Sequence, residues 1–211
     1  MTVSTTPPAN PNDFDRFVLR QRIRPIINQY EFTVAGEDGR PGAPVAFVEQ
    51  KRFKFKEDIR FYADDTKQEE ILRIKARQRF DPRARYDVTD AAGEKVGEIQ
   101  KVFGASLLRS TYALFDDSGE EVARASERSL AVALLRRVAG FLPYIGNFAD
   151  WLPIPYHFDF KHSDEVLGSH VRTAFKLRDT YTIDLTPDTG RMLDRRLVLA
   201  TAVGMDALQA R

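Results

Sequence analysis

The chain has 211 residues, of which 43% are hydrophobic and 30% charged, and this composition fits a single globular domain. Lys and Arg number 32 against 31 Asp and Glu, so the net charge of +1 gives no overall attraction to nucleic acid. The absence of cysteine excludes disulfide bonds, thiolate metal ligands and a cysteine nucleophile, and it fits the reducing cytoplasm.

The chain starts with a segment rich in Pro, Thr and Asn. It has neither the basic nor the apolar region of a signal peptide. Its low hydrophobicity predicts a disordered tail at residues 1–15. We expect a single domain at residues 16–211.

Apolar and basic residues alternate in two segments of the first half of the chain. In one, Phe53 and Phe55 alternate with basic residues, and in the other Leu72 and Ile74 do so. Such alternation predicts strands with one face in the core and one in solvent. The basic outer faces are a candidate site for anionic lipid headgroups, formed by Arg52, Lys54, Lys56, Arg73, Lys75 and Arg77. The alternative is an ordinary solvated strand face, on which lysines discourage edge pairing.

An internal repeat with an offset of 26 residues occupies the middle of the chain. Residues 86–96 and 112–122 share the pattern Tyr-x-aliphatic-x-Asp-x-x-Gly-x-x-Val, and looser copies begin at Tyr30 and Tyr156. The Asp can accept hydrogen bonds from the turn backbone, and the Gly can adopt the positive φ that closes a hairpin. Four hairpins with connecting strands predict roughly ten to twelve strands arranged as a barrel.

One segment, residues 129–155, departs from the strand pattern. Apolar residues recur at helical spacing after Ser129, a favourable N-cap, and Pro143 ends the predicted amphipathic helix. A loop with several aromatic residues and prolines follows. The segment is a candidate contact with a membrane or a protein partner, through Phe141, Tyr144, Phe148 and Trp151. The alternative is that the helix packs across the barrel.

Residues 197–205 form an apolar run with no polar face, directly after the helix-starting sequence Asp194-Arg195-Arg196. A helix that is apolar all round needs burial on every side, and this one is too short to cross a bilayer. We therefore predict an all-β fold with a central helix. We expect a closed antiparallel barrel of roughly ten to twelve strands around a buried hydrophobic C-terminal helix, with one amphipathic helix inserted.

The hairpins, the basic segment at residues 47–55 and the apolar C-terminal helix together resemble the LURP-one-related family, over about residues 16–209. That family belongs to the tubby C-terminal-like superfamily, with the phospholipid scramblases. The resemblance implies a twelve-stranded barrel with a hydrophobic helix through its centre. Tubby proteins bind phosphoinositide headgroups on the outer barrel. Scramblases use cysteine acylation, and this chain has no cysteine.

No motif of an enzyme is present, neither a Gly-x-Ser-x-Gly elbow, a P-loop nor a dinucleotide fingerprint. The acidic segment 116–121 has oxygen ligands suited to calcium, but its position favours a hairpin turn. His157 and Asp159 share a strand face, with His162 nearby and His170 further on, which is a weak metal signal. We expect no catalytic residue, no cofactor and no metal.

The leading hypothesis is a non-enzymatic binding module for anionic phospholipid or a phosphorylated ligand. The alternative is a protein-interaction scaffold that uses residues 129–155, and a more distant one is scramblase-like activity. The expected partners are anionic lipid headgroups, a membrane surface or a protein. We expect neither nucleic-acid binding nor a transmembrane segment. The expected location is the cytoplasm, with peripheral attachment at the inner membrane surface.

Overall fold

The computed structural model describes residues 8–23, 27–51, 58–77, 85–102, 111–128, 157–173 and 179–209. These residues form a short 3-10 helix at Pro11–Asp13, twelve strands and one α-helix, α1, at Arg195–Gln209. The strands are β1 (Arg16–Ile23), β2 (Ile27–Ala35), β3 (Pro41–Lys51), β4 (Asp58–Tyr62), β5 (Glu70–Ala76), β6 (Arg85–Asp90), β7 (Lys95–Val102), β8 (Thr111–Phe115), β9 (Glu121–Glu127), β10 (His157–His162), β11 (Glu165–Thr173) and β12 (Asp179–Asp184).

The strands form a closed barrel in chain order. Each strand pairs antiparallel with its neighbour in the sequence, and β1 pairs with β12 to complete the circle. This confirms the predicted closed antiparallel barrel. Because every neighbour is antiparallel, successive connections alternate between the two ends of the barrel. The β2–β3, β4–β5, β6–β7, β8–β9 and β10–β11 connections share one end, here named the turn end, and α1 also begins there.

The repeated Asp-x-x-Gly pattern forms the predicted turns. Asp90 Oδ1 accepts hydrogen bonds from the backbone N–H groups of Ala92 and Glu94, both at 3.0 Å. Gly93 has a φ of 84°, and Gly119 in the second copy has a φ of 90°. L-residues with a side chain rarely adopt this conformation, so glycine is required at both positions. The predicted hairpins β6–β7 and β8–β9 are confirmed, and residues 116–120 form the turn of the second.

The alternation of side chains along the strands places apolar residues in the core. Leu72 and Ile74 of β5 are 4% and 2% exposed, while Lys75, which directly follows Ile74, is exposed. Among the side chains of α1 that the structure describes, the apolar ones from Leu197 to Met205 join the inward-facing strand residues in one hydrophobic core. Burial of apolar surface on this scale is the main source of the barrel's stability.

An ion cluster around a buried arginine holds the start of α1. Arg195 is 1% exposed, and its Nη1 and Nη2 lie 2.6 Å from carboxylate oxygens of Asp188 and Asp15 respectively. Asp188 also accepts the backbone N–H groups of Met192 and Leu193. The guanidinium is therefore paired on two sides, as a buried charge requires.

Residues 8–15, which belong to the predicted tail, contact the start of α1 and the barrel. The 3-10 helix at Pro11–Asp13 lies within residues 1–15, and Asn12 Oδ1 accepts the backbone N–H of Arg195 at 2.9 Å. Ala9 donates its backbone N–H to the Pro44 carbonyl oxygen at 2.8 Å. Residues 8–15 thus form hydrogen bonds with both the barrel and α1.

The predicted amphipathic helix and its loop, residues 129–155, lie outside the described residues. Across the part of the chain that is described, no helix has the length and apolar character needed to cross a membrane.

Candidate anion-binding surface on the outer barrel

The outer faces of β4, β5 and β6 bring basic and acidic side chains next to one another. Leu72 and Ile74 point into the core, so Arg73 and Lys75 point outward. In the strand register, Arg73 lies opposite Arg60, and Lys75 lies opposite Asp58 on β4 and Asp87 on β6. Three of the predicted cations, Arg73, Lys75 and Arg77, therefore share one outer surface. The other three, Arg52, Lys54 and Lys56, lie outside the described residues.

Arg73 forms a two-pronged ion pair with a carboxylate on the neighbouring strand. Its Nε and Nη2 donate to Asp58 Oδ1 and Oδ2 at 2.8 and 2.7 Å. The hydrogen bond from Arg73 lowers the pKa of Asp58 below its ordinary value. Arg60 donates to Glu70 Oε2 at 3.1 Å, which extends the network along the strand pair. The arginine forks are held in fixed orientations by these contacts.

Arg77, which directly follows β5, is shared between two carboxylates. Its Nη2 lies 2.7 Å from Asp87 Oδ1 and 2.7 Å from Glu98 Oε1. Burial raises the pKa of Glu98, but hydrogen bonds from Lys95 and Arg77 outweigh that effect and hold the pKa below its ordinary value. The hydrogen bond that Arg77 donates to Asp87 raises the pKa of Arg77.

Lys75 is the exposed cation of this surface that forms no ion pair with the described residues. The arginines on either side of it along the chain, Arg73 and Arg77, are both matched by carboxylates. Alternation in the sequence predicts the outward direction of all three side chains. It does not predict their pairing, because the carboxylates of Asp58, Asp87 and Glu98 come from other strands and meet them only through the register.

The histidines and the acidic residue of the weak metal signal are directed to different partners. Asp159 Oδ1 lies 2.7 Å from Arg128 Nη2, and His162 Nδ1 lies 2.9 Å from the Val122 carbonyl oxygen. His170 is 1% exposed, and burial lowers its pKa to about 3, so it is neutral at pH 7. Among the residues that the structure describes, no cluster of three or more His, Asp or Glu side chains could hold a metal ion.

The aromatic residues predicted to contact a membrane or a partner, Phe141, Tyr144, Phe148 and Trp151, all lie outside the described residues. Their role stays a prediction.

A polar groove that sequence reasoning missed crosses the outer faces of β8, β9 and β10. It has a volume of about 490 Å³ and is lined by Thr111, Glu121, Ala123, Arg124, Ser126, Lys161, His162 and Ser163. The sequence does not predict this groove, because its residues come from separate strands. Glu121 stands out in the sequence only as part of an acidic turn, and His162 only as part of a weak metal signal.

A twelve-stranded antiparallel barrel with a C-terminal helix and a charged outer face defines the class of this protein. Within that class, the family model for LURP-one-related proteins matches residues 45–206, which is most of the chain. The chain belongs to the LURP-one-related family, as its hairpins and apolar C-terminal helix predict. A comparison with curated proteins gives no match.

Proposed function

We propose that this LURP-one-related barrel is a non-enzymatic module that binds anionic phospholipid headgroups on the outer face of β4, β5 and β6, around Lys75. The observation that carries the proposal is an exposed lysine without a carboxylate partner among the described residues, set between arginines in fixed orientations. A lipid phosphate can accept charge-assisted hydrogen bonds from such a group of cations.

The ion pairs of the two arginines do not prevent a phosphate from binding nearby. The side chains of Arg73 and Arg77 are 31% and 41% exposed, so a phosphate can approach them from solvent while the carboxylates keep them in place. Each cation close to an anionic membrane contributes about 1 kcal/mol to peripheral binding, so several are needed. The segment between β3 and β4 adds Arg52, Lys54 and Lys56 in the sequence next to Asp58.

The proposal of a non-enzymatic role rests on the pKa values of the charged groups on this surface. A general acid or base functions best with a pKa near 7. On this surface the pKa values of Asp58 and Glu98 are lowered and that of Arg77 is raised, so all three move away from neutrality. These groups are suited to holding fixed charge rather than to transferring protons.

We also propose that α1 fills the interior of the barrel, which leaves the outer face for ligands. Leu197 and Val203 are at most 1% exposed. A Cβ added at Gly97 of β7 would lie 2.9 Å from a methyl carbon of Leu197, so strand and helix approach closely.

The proposed location is the cytoplasm, at the inner membrane surface.

Co-sedimentation with vesicles tests the lipid proposal. We expect the chain to pellet with vesicles containing phosphatidylserine at low salt, and to stay in solution at high salt or with phosphatidylcholine alone. The double variant Lys54→Glu, Lys75→Glu should lose this binding. Arg40→Glu is the matched control, because Arg40 lies at the turn end and Lys75 near the opposite end. Unchanged binding of the double variant would overturn the proposal.

A further inference from the structure

The groove on β8, β9 and β10 is formed by the register of short and long side chains. Ser126 of β9 lies opposite Thr111 on β8 and Asp159 on β10. Two residues earlier, Arg124 lies opposite Lys161 on β10. Short hydroxyl side chains beside two long cationic ones leave a depression on the outer face, and this is the cavity of about 490 Å³.

Both cations of the groove keep hydrogen-bonding capacity. Arg124 Nε and Nη2 donate to the Glu121 carboxylate at 2.6 and 3.1 Å, and no hydrogen bond from its Nη1 to a described residue is found. The Arg124 side chain is 57% exposed, so this ion pair is a weak one. Lys161 forms no ion pair with the described residues. An incoming anion can therefore contact both side chains.

His162 adds a ring nitrogen, Nε2, whose hydrogen-bonding role follows from the contact that Nδ1 makes. Its Nδ1 lies 2.9 Å from the Val122 carbonyl oxygen, which can only accept, so Nδ1 carries a hydrogen. Nε2 is then an acceptor in the neutral ring and a donor in the charged ring. Thr111, Ser126 and Ser163 add hydroxyl groups that can both donate and accept. The lining thus combines two cations, one carboxylate and several groups of mixed donor and acceptor character.

We propose that this groove binds a small phosphomonoester that also carries hydroxyl groups, such as a sugar phosphate. Arg124 and Lys161 match the phosphate, since charge-assisted hydrogen bonds to phosphate are about twice as strong as hydrogen bonds between neutral groups. Glu121 and the hydroxyl groups match the ligand's own hydroxyls. The groove is separate from the surface around Lys75, because it lies on different strands of the barrel.

An NMR titration of the full chain tests the proposal, with ribose 5-phosphate as the probe. We expect saturable shifts of backbone amides in β8, β9 and β10, weaker shifts with inorganic phosphate and none with ribose. The variants Arg124→Gln and Lys161→Gln should each weaken binding of ribose 5-phosphate at least tenfold. Unchanged amide spectra away from the groove show that each variant is folded.

Lys75→Gln is the matched control, and it separates this inference from the proposed function. It should bind ribose 5-phosphate as the unmodified chain does. Failure of ribose 5-phosphate to shift any amide of the groove would overturn the inference and leave the vesicle experiment unaffected. Equal loss of binding in Lys75→Gln and Lys161→Gln would also overturn it.

A second arm identifies the source of the phosphomonoester. Vesicles containing phosphatidic acid present the same group on a lipid. The chain used in this arm carries Lys54→Glu and Lys75→Glu, so that the surface around Lys75 does not hold it on these vesicles. If ribose 5-phosphate binds in the groove and does not displace the chain from these vesicles, the ligand is a free metabolite. If it displaces the chain, and Lys161→Gln also abolishes vesicle binding, the ligand is a lipid headgroup. Either result supports a phosphomonoester site.

Discussion

At the scale of single residues, His170 shows how the barrel interior controls protonation. The side chain is 1% exposed and its ring centroid lies 5.1 Å from that of Tyr181. Burial in apolar surroundings disfavours the charged ring, and this lowers the pKa to about 3. The folded protein therefore keeps His170 neutral over most of the acidic range.

Because His170 has a lower pKa in the folded protein than in the unfolded chain, the free energy of unfolding depends on pH. In the unfolded chain a histidine has a pKa of about 6.5, so below that pH the unfolded state binds a proton that the folded state cannot bind. Stability should fall between pH 6.5 and pH 3, by at most about 1.4 kcal/mol per pH unit. Urea denaturation at several pH values measures it. His170→Phe keeps an aromatic ring and should show a flatter profile, and identical profiles would contradict the assignment.

At the scale of elements, α1 is the part of the chain with the strictest demand for apolar side chains. Val198, Leu199 and Ala200 point about 100° apart in succession around the helix, and all three are at most 1% exposed. Thr201, also buried, donates its hydroxyl to the Leu197 carbonyl oxygen at 2.7 Å and so leaves no unpaired donor. The helix has no face in this stretch that could accept a charge.

We expect Val203→Asp to prevent folding. An unpaired charge at this position costs several kcal/mol, which is a large part of a total stability of about 5–15 kcal/mol. Val203→Ala is the matched control, and it should remain folded with a loss of about 2 kcal/mol from the cavity. Circular dichroism and thermal unfolding of both variants measure the effect. A soluble Val203→Asp variant that unfolds cooperatively would show that α1 tolerates charge.

At the scale of the whole molecule, the sequence predicts what depends on local patterns. Asp116 and Gly119 mark a hairpin turn, and the apolar run from Leu197 marks the C-terminal helix, because both signals lie within a few residues. The groove around Lys161 could not be predicted in this way, since it depends on the register between three strands. Neither could the pairing of Asp15 with Arg195, which joins residues 180 positions apart.

The Asp15–Arg195 ion pair joins the start of the barrel to the segment that follows its last strand. Asp15 directly precedes β1, and Arg195 is the first residue of α1, which follows β12 after a short connection. Because β1 and β12 are also the two strands whose pairing closes the barrel, the ion cluster lies where the circle is completed. It holds the helix, the closing strands and the 3-10 helix in one arrangement.

Removing the guanidinium should therefore destabilise the entire barrel. Arg195→Met leaves the carboxylate of Asp188, whose side chain is 1% exposed, without its cation, and breaking a buried pair in this way costs about 3–5 kcal/mol. The double variant Arg195→Met, Asp188→Asn removes both charges and should recover part of the loss, since the new amide oxygen can still accept a backbone N–H. The pair Arg40–Asp38 is exposed, and its disruption by Arg40→Met should cost less than about 1 kcal/mol. Chemical denaturation of the four proteins compares these losses. If Arg195→Met were as mild as Arg40→Met, the cluster would contribute no more than a surface ion pair.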